Sequence, residues 1–269
     1  MPTCLFRGDF IFPFFHIFGK TIAMYGLLIV IGTALGVIIA CFRKNHYSLG
    51  REDIFFSSIY AGIGIVVGSK LLFILLSLPS IIENWGQIFS SVESFTTFLS
   101  GGFVFYGGLI GAFLGILYYT KRYKIDTFAV CDVLIPSIPL IHAIGRIGCF
   151  CAGCCYGKPS EKFGVFFNNS PVAPHNIALF PVQLLESGIN LLIFVFLIIY
   201  SSKPRKKCSV LGAYLITYGV ARFFLEFLRF DYVRGIFLGF STSQWISLIL
   251  IPIGFIMIFR KNKAKTLAE

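Results

Sequence analysis

Charge is what this chain has least of. Only 13% of its 269 residues are Asp, Glu, Lys or Arg, where a soluble domain carries about 25%. Acidic residues are the scarcer sign, 12 against 23 basic. A cleavable secretory signal is not expected either, because Met1 to Lys20 lacks a basic stretch followed by a smooth apolar core. Little sequence lies outside long apolar runs, which excludes a sizeable soluble domain. The acid deficit leaves a net charge of +11, which raises nucleic acid as a partner. The basic clusters fall in short loops beside apolar runs, however, where anionic lipid headgroups attract Lys and Arg, so membrane lipids are the expected partner and nucleic acid is not.

What is present is apolar: 57% hydrophobic residues, 32 Phe and 12 Tyr, with a mean hydropathy of +0.84. These values predict an all-α integral membrane protein, a single polytopic domain over 1–269. Seven transmembrane helices are expected at roughly 22–42, 54–78, 103–119, 128–144, 182–200, 210–228 and 242–259. Residues 1–20, rich in Phe around Pro13, read as an interfacial segment. Outer-face loops are expected at 79–102 and 145–181. Arg43, Lys44 and Arg51, then Lys121, Arg122 and Lys124, then Lys203 to Lys207, then Arg260 to Lys265 all fall on one side. The positive-inside rule therefore puts the N-terminus outside and the C-terminus in the cytoplasm.

Against this background the polar residues stand out. Arg146, in Gly145-Arg-Ile-Gly148, ends a long apolar run. A cation at that depth costs roughly 2.5–3.5 kcal/mol on insertion scales, so a partner is expected, anionic by choice. Pro136 and Pro139 in the same run each remove a backbone donor and predict a broken helix, the kind that lines a cavity. His142, between them and Arg146, is a secondary candidate.

Tyr218, Arg222, Glu226 and Arg229 share one helical face by their spacing of four, four and three. Either Arg222 and Glu226 neutralise each other, or the excess of cations holds an anion. Gln183 and Glu186, three apart after Pro181, share a face where a carboxylate can hold an arginine; a helix-start preference for acid explains Glu186 equally well. Gly107, Gly111 and Gly115 have the spacing of close helix packing, while Gly101-Gly102 suits a loop brought against a ligand.

Cys149, Cys151, Cys154 and Cys155 form a cluster. Its spacing is not that of a zinc ribbon and no second cluster follows, so metal is the minority reading; vicinal cysteines pair poorly, which puts packing or a longer-range disulfide ahead. No metal and no cofactor is expected.

Taken in order, Met24-Tyr-Gly26, Gly101-Gly-Phe-Val-Phe-Tyr-Gly-Gly-Leu-Ile-Gly111, Asp132, Gly145-Arg-Ile-Gly148 with Gly153 and Gly157, Pro181-x-Gln-x-x-Glu186, the Tyr218 to Arg229 helix and Gln244 resemble the prolipoprotein diacylglyceryl transferases over nearly the whole chain. The resemblance implies an enzyme of the bacterial cytoplasmic membrane that moves diacylglycerol from phosphatidylglycerol onto the cysteine of a prolipoprotein signal-peptide region. It implies Arg146 and Arg222 as a phosphate clamp; Tyr106, where the family has a histidine, is the third catalytic candidate, as a base or only as a hydrogen-bond partner of the substrate, the base then being unidentified or His142. Tyr25, Gly101, Gly102, Gly107, Gly108, Gly148, Gln183, Glu186 and Glu226 become candidate substrate-binding residues.

The chain departs from the family pattern at several places. Tyr106 replaces a histidine, Cys149 and Ala152 replace asparagines, Cys154 replaces a glutamate, Lys70 replaces an arginine, and Phe180-Pro181 replaces His-Pro. A related transferase with another acceptor, a non-catalytic phospholipid-binding protein, and a redox or metal device built on the cysteines are the alternatives.

Overall fold

A computed structural model of the chain describes residues 11–17, 19–43, 46–230 and 236–260. Cys4, Arg7, Phe18, Lys44, Arg234 and the basic residues after Arg260 lie outside them. The chain divides into two units, Met1–Ser48 with Cys131–Glu269, and Leu49–Val130, and each is described by itself.

In the first unit a hairpin of β1 (Phe14–Ile17) and β2 (Lys20–Ala23) leads into α1 (Met24–Phe42). In the second unit lie α2 (Arg51–Glu83), two short helices α3 (Trp85–Ile88) and α4 (Val92–Ser100), and α5 (Phe105–Arg122). The chain returns to the first unit through α6 (Thr127–Leu134), followed by α7 (Ser137–Ala152), the pair β3 (Val165–Phe166) and β4 (Ala178–Leu179), α8 (Val182–Tyr200) and α9 (Ser209–Leu225). A 3-10 turn at Glu226–Leu228, the pair β5 (Ile236–Phe237) and β6 (Phe240–Ser241), and α10 (Thr242–Phe259) complete it.

Among the described residues six helices, counting α6 and α7 as one, are long and apolar enough to cross a membrane. They match six of the seven expected runs. The remaining run corresponds to α5, whose 18 residues include four glycines and end in Lys121-Arg122, which dilutes its hydropathy. The protein is mainly helical, as expected of an all-α membrane chain, with three short antiparallel strand pairs in its loops.

Two boundaries also shift. The expected loop at 79–102 is largely helical: α2 continues through Pro79 to Glu83, and Ser91 caps α4 by accepting the Ser94 N–H at 3.0 Å. The expected loop at 145–181 begins only after Ala152, so Arg146, Cys149 and Cys151 ride on α7. The break between α6 and α7 falls at Ile135 and Pro136, while Pro139 is tolerated in the first turn of α7, where its missing N–H has no helical acceptor to lose.

Glycines set the helix packing. In the second unit Gly64 lies against the Gly111 backbone and Gly68 against that of Gly107, so any Cβ there would strike a carbonyl. In the first unit Gly32 and Gly36 of α1 receive Ile144 and Ile141 of α7, and Gly148 of α7 lies on the Tyr25 backbone. Asp132, buried, joins α6 to the start of α9: its carboxylate accepts the Leu211 N–H at 3.1 Å and the Tyr47 hydroxyl proton at 2.9 Å. Beyond α7, Ile11, Val165, Phe167, Ala173 and Leu179 form a small core that holds the loop together.

Candidate functional site

Glu186 lies one turn into α8 and is 1% exposed. A carboxylate buried to that degree must be paired, and the surrounding helices supply the partners. Arg146 Nη2 of α7 stands 3.0 Å from Oε1, Arg222 Nη1 of α9 3.5 Å from the same oxygen, and Arg229 Nη1 3.7 Å from Oε2. His142 Nε2 is 3.4 Å from Oε1 and 3.2 Å from Arg146 Nε. Glu226 takes a second edge of Arg222, Nη2 to Oε2 at 2.8 Å, and Ser243 of α10 accepts from that same Nη2 at 3.2 Å.

The helix spacing read from the sequence thus gives both outcomes at once. Arg222 and Glu226 do pair, and among the described residues three arginines gather around two carboxylates. Guanidinium groups gathered in surroundings of low dielectric bind an anion with several acceptor oxygens most strongly. Guanidinium groups suit phosphate, which takes their hydrogen bonds in pairs.

Arg229, read from the sequence only as part of the cationic face of Tyr218 to Arg229, joins the site. It reaches the site because the chain turns there into extended backbone bridged to Gly157. Gly157 is needed at that bridge, since a side chain would meet the Phe180 and Leu228 carbonyls. Ser243 carried no sequence signal.

The cysteines gather beside the arginines. Gly153, at φ +69°, stops α7 in the left-handed conformation, and the Cys154 N–H then bonds back to the Cys149 carbonyl at 3.1 Å. That turn brings the sulfurs of Cys149, Cys154 and Cys155 within 4.8 Å of one another. The four thiols Cys149, Cys151, Cys154 and Cys155 are free, so of the two leading expectations, packing or a longer-range disulfide, the disulfide is absent among the described residues. Arg146 Nη1 is 4.0 Å from Cys149 Sγ. Hydrogen bonds from the Cys149 and Cys154 thiols, with Arg229 and Arg146 behind them, hold the Cys155 thiol well below the usual thiol range.

The remaining candidates are placed as follows. Gln183, fully buried, donates from Nε2 to the Cys154 carbonyl at 2.8 Å and so fixes the cysteine turn. Tyr25 opens α1 with its backbone against Gly148. Tyr106, Gly101, Gly102, Gly107 and Gly108 belong to the second unit. There Gly107 and Gly108 face Gly68 and Ser69 of α2. Gly102 takes φ +57°, and Lys70 Nζ donates to the carbonyls of Gly101 and Gly102 at 2.5 and 3.3 Å. Tyr106 is half exposed at the start of α5.

Residues 13–260 match the family model described as prolipoprotein diacylglyceryl transferase. A protein of Clostridium tetani named phosphatidylglycerol--prolipoprotein diacylglyceryl transferase is 40% identical over 250 residues, covering 93% of this chain and 96% of its own. A Clostridium perfringens protein of the same name, numbered 2, is 33% identical with 93% and 94% covered. One from Nitrosomonas europaea is 31% identical with 87% and 84% covered.

Proposed function

The chain belongs to the prolipoprotein diacylglyceryl transferase family, and from that premise we propose that it transfers the diacylglyceryl group of phosphatidylglycerol to the lipobox cysteine of a prolipoprotein. The observation that carries the reading is the buried cluster in which Glu186 gathers Arg146, Arg222 and Arg229.

In the reaction the acceptor thiolate attacks the glycerol carbon bonded to the phosphate oxygen of the lipid. A sulfur–carbon bond forms, the carbon–oxygen bond breaks, and its electron pair leaves with glycerol phosphate. Arg146 and Arg222 hold the phosphate and stabilise the charge it gains, with Arg229 next to them. Glu186 keeps the guanidinium groups in register before lipid enters, so little reorganisation is needed at the moment of bond breaking. Tyr106, Gly101 and Gly102 are assigned to the substrate by their family positions.

We place the protein in the bacterial cytoplasmic membrane with seven spans, α5 being the third. At about 1.5 Å per residue an 18-residue helix is roughly 27 Å long, enough to cross with modest local thinning. The distribution of basic residues supports an outer N-terminus and a cytoplasmic C-terminus.

The test is release of glycerol phosphate from phosphatidylglycerol by detergent-purified protein with a lipobox peptide. Release that requires the peptide and falls at least about 100-fold in Arg146→Ala and Arg222→Ala, about 3 kcal/mol of barrier, supports the reading. Release without lipidated peptide points to a different acceptor, and folded protein that binds the lipid without releasing glycerol phosphate is a binder.

A further inference from the structure

We propose that Cys149, Cys154 and Cys155 bind a thiophilic divalent cation, Zn2+ in the first instance, and that its fourth position takes the acceptor thiol. The second half of this assignment rests on the transferase reading above.

Three of the four cysteines in the loop converge, with all their sulfurs within 4.8 Å. Tetrahedral zinc with bonds of about 2.3 Å separates its sulfurs by roughly 3.8 Å, so small side-chain rotations close the set around an ion. The turn that gathers them is held from three sides. Gly153 has the positive φ that reverses the chain, and Cys155, at φ +59°, is itself in the left-handed region that non-glycine residues seldom occupy. Gln183, buried in α8, holds the Cys154 carbonyl. A backbone conformation of this kind persists when the surroundings over-determine it, and such positions collect at functional sites.

The charge suits the same ion. Three thiolates on a divalent cation leave one negative charge, and Arg146 stands next to Cys149 to offset it. Three protein ligands are the number found in catalytic zinc sites, where the fourth position stays open, whereas structural sites close with four. Cys151 does not join the group.

A thiol that enters the open position loses its proton on coordination, and the proton passes to solvent. The bound thiolate then forms its bond to the glycerol carbon, and glycerol phosphate departs among the arginines. The metal thereby takes the place of a side-chain base for the acceptor.

Elemental analysis of the full chain, purified in detergent without chelator, is expected to find about one zinc per chain. Cobalt in its place should give a thiolate-to-metal charge-transfer band. Cys154→Ser and Cys155→Ser should lose both signals, while Cys151→Ser keeps them. Protection of the loop thiols from alkylation by added zinc gives a reading on wild-type protein that does not depend on how the variants fold. Metal-free protein whose thiols alkylate equally with and without zinc, or a disulfide within the loop, overturns the site.

For the catalytic half, removing the metal should lower peptide lipidation at pH 7 by up to about 30-fold, since only roughly 3% of a thiol of pKa about 8.5 is ionised there. Binding of phosphatidylglycerol should persist. Unchanged lipidation after metal removal overturns the acceptor role. A chain that holds zinc but lipidates no peptide refutes the transferase reading instead, because the metal signals are read without substrate.

Discussion

Replacing Glu186 by glutamine removes one negative charge and almost no volume, so it isolates the electrostatic role of this residue. Its carboxylate is 1% exposed and meets three guanidinium groups at 3.0, 3.5 and 3.7 Å. At an effective dielectric of about 20, each such contact is worth about 4–6 kcal/mol of attraction. Desolvation of the buried charges and repulsion among the arginines cancel most of that sum. Breaking a buried pair nevertheless leaves uncompensated cations, at a net loss of about 3–5 kcal/mol.

In Glu186→Gln the three arginines lose the carboxylate that they share. At roughly 2–4 °C per kcal/mol the midpoint of thermal unfolding in detergent should fall by at least about 6 °C. Phosphatidylglycerol should restore more of that loss than it adds to the wild type, because its phosphate supplies the missing negative charge and a ligand bound to the folded state stabilises it. An electrically neutral phospholipid of the same chain length should restore less. An unchanged midpoint would refute the reasoning that Glu186 organises the cluster. Equal rescue by the two lipids would refute the assignment of the arginine cluster to an anionic headgroup.

Other substitutions probe single links. Tyr106→Phe should slow turnover and leave the unfolding midpoint unchanged; full activity would remove this hydroxyl from the mechanism. Asp132→Ala should cost about 1–2 kcal/mol by uncapping α9, with Asp132→Asn milder because an acceptor remains, and turnover of the folded fraction should be unaltered in both. Gly111→Val should destabilise the protein by several degrees, because a side chain there strikes the Gly64 carbonyl across the α2–α5 contact; a normal midpoint would show that these helices can move apart freely.

Much of the site was legible from spacing alone. Arg222 and Glu226 pair at the helical spacing read from the sequence, whereas Arg229 reaches the site through extended backbone beyond the helix, and Arg146 announced itself as a charge that an apolar run does not accommodate without a partner. The break before α7 followed from two prolines. The hairpins were not legible, since strands of two to four residues are too short to show a period. The end of α7 was also misplaced: the polar and thiol side chains of 145–152 resemble a loop, but Gly145 and Gly148 let the helix continue against α1, and only Gly153 stops it.

The sequence by itself determined that the chain belongs in a membrane, where the long apolar runs lie, and which of their residues carry charge. Those properties are additive along the chain and need no neighbour. Only the tertiary structure decided that one carboxylate, Glu186, serves three arginines from different elements, and that cysteines which look badly spaced for a metal converge in space. The αL turn at Gly153 folds Cys154 and Cys155 back toward Cys149, and a reversal of that kind changes distance without changing composition or period.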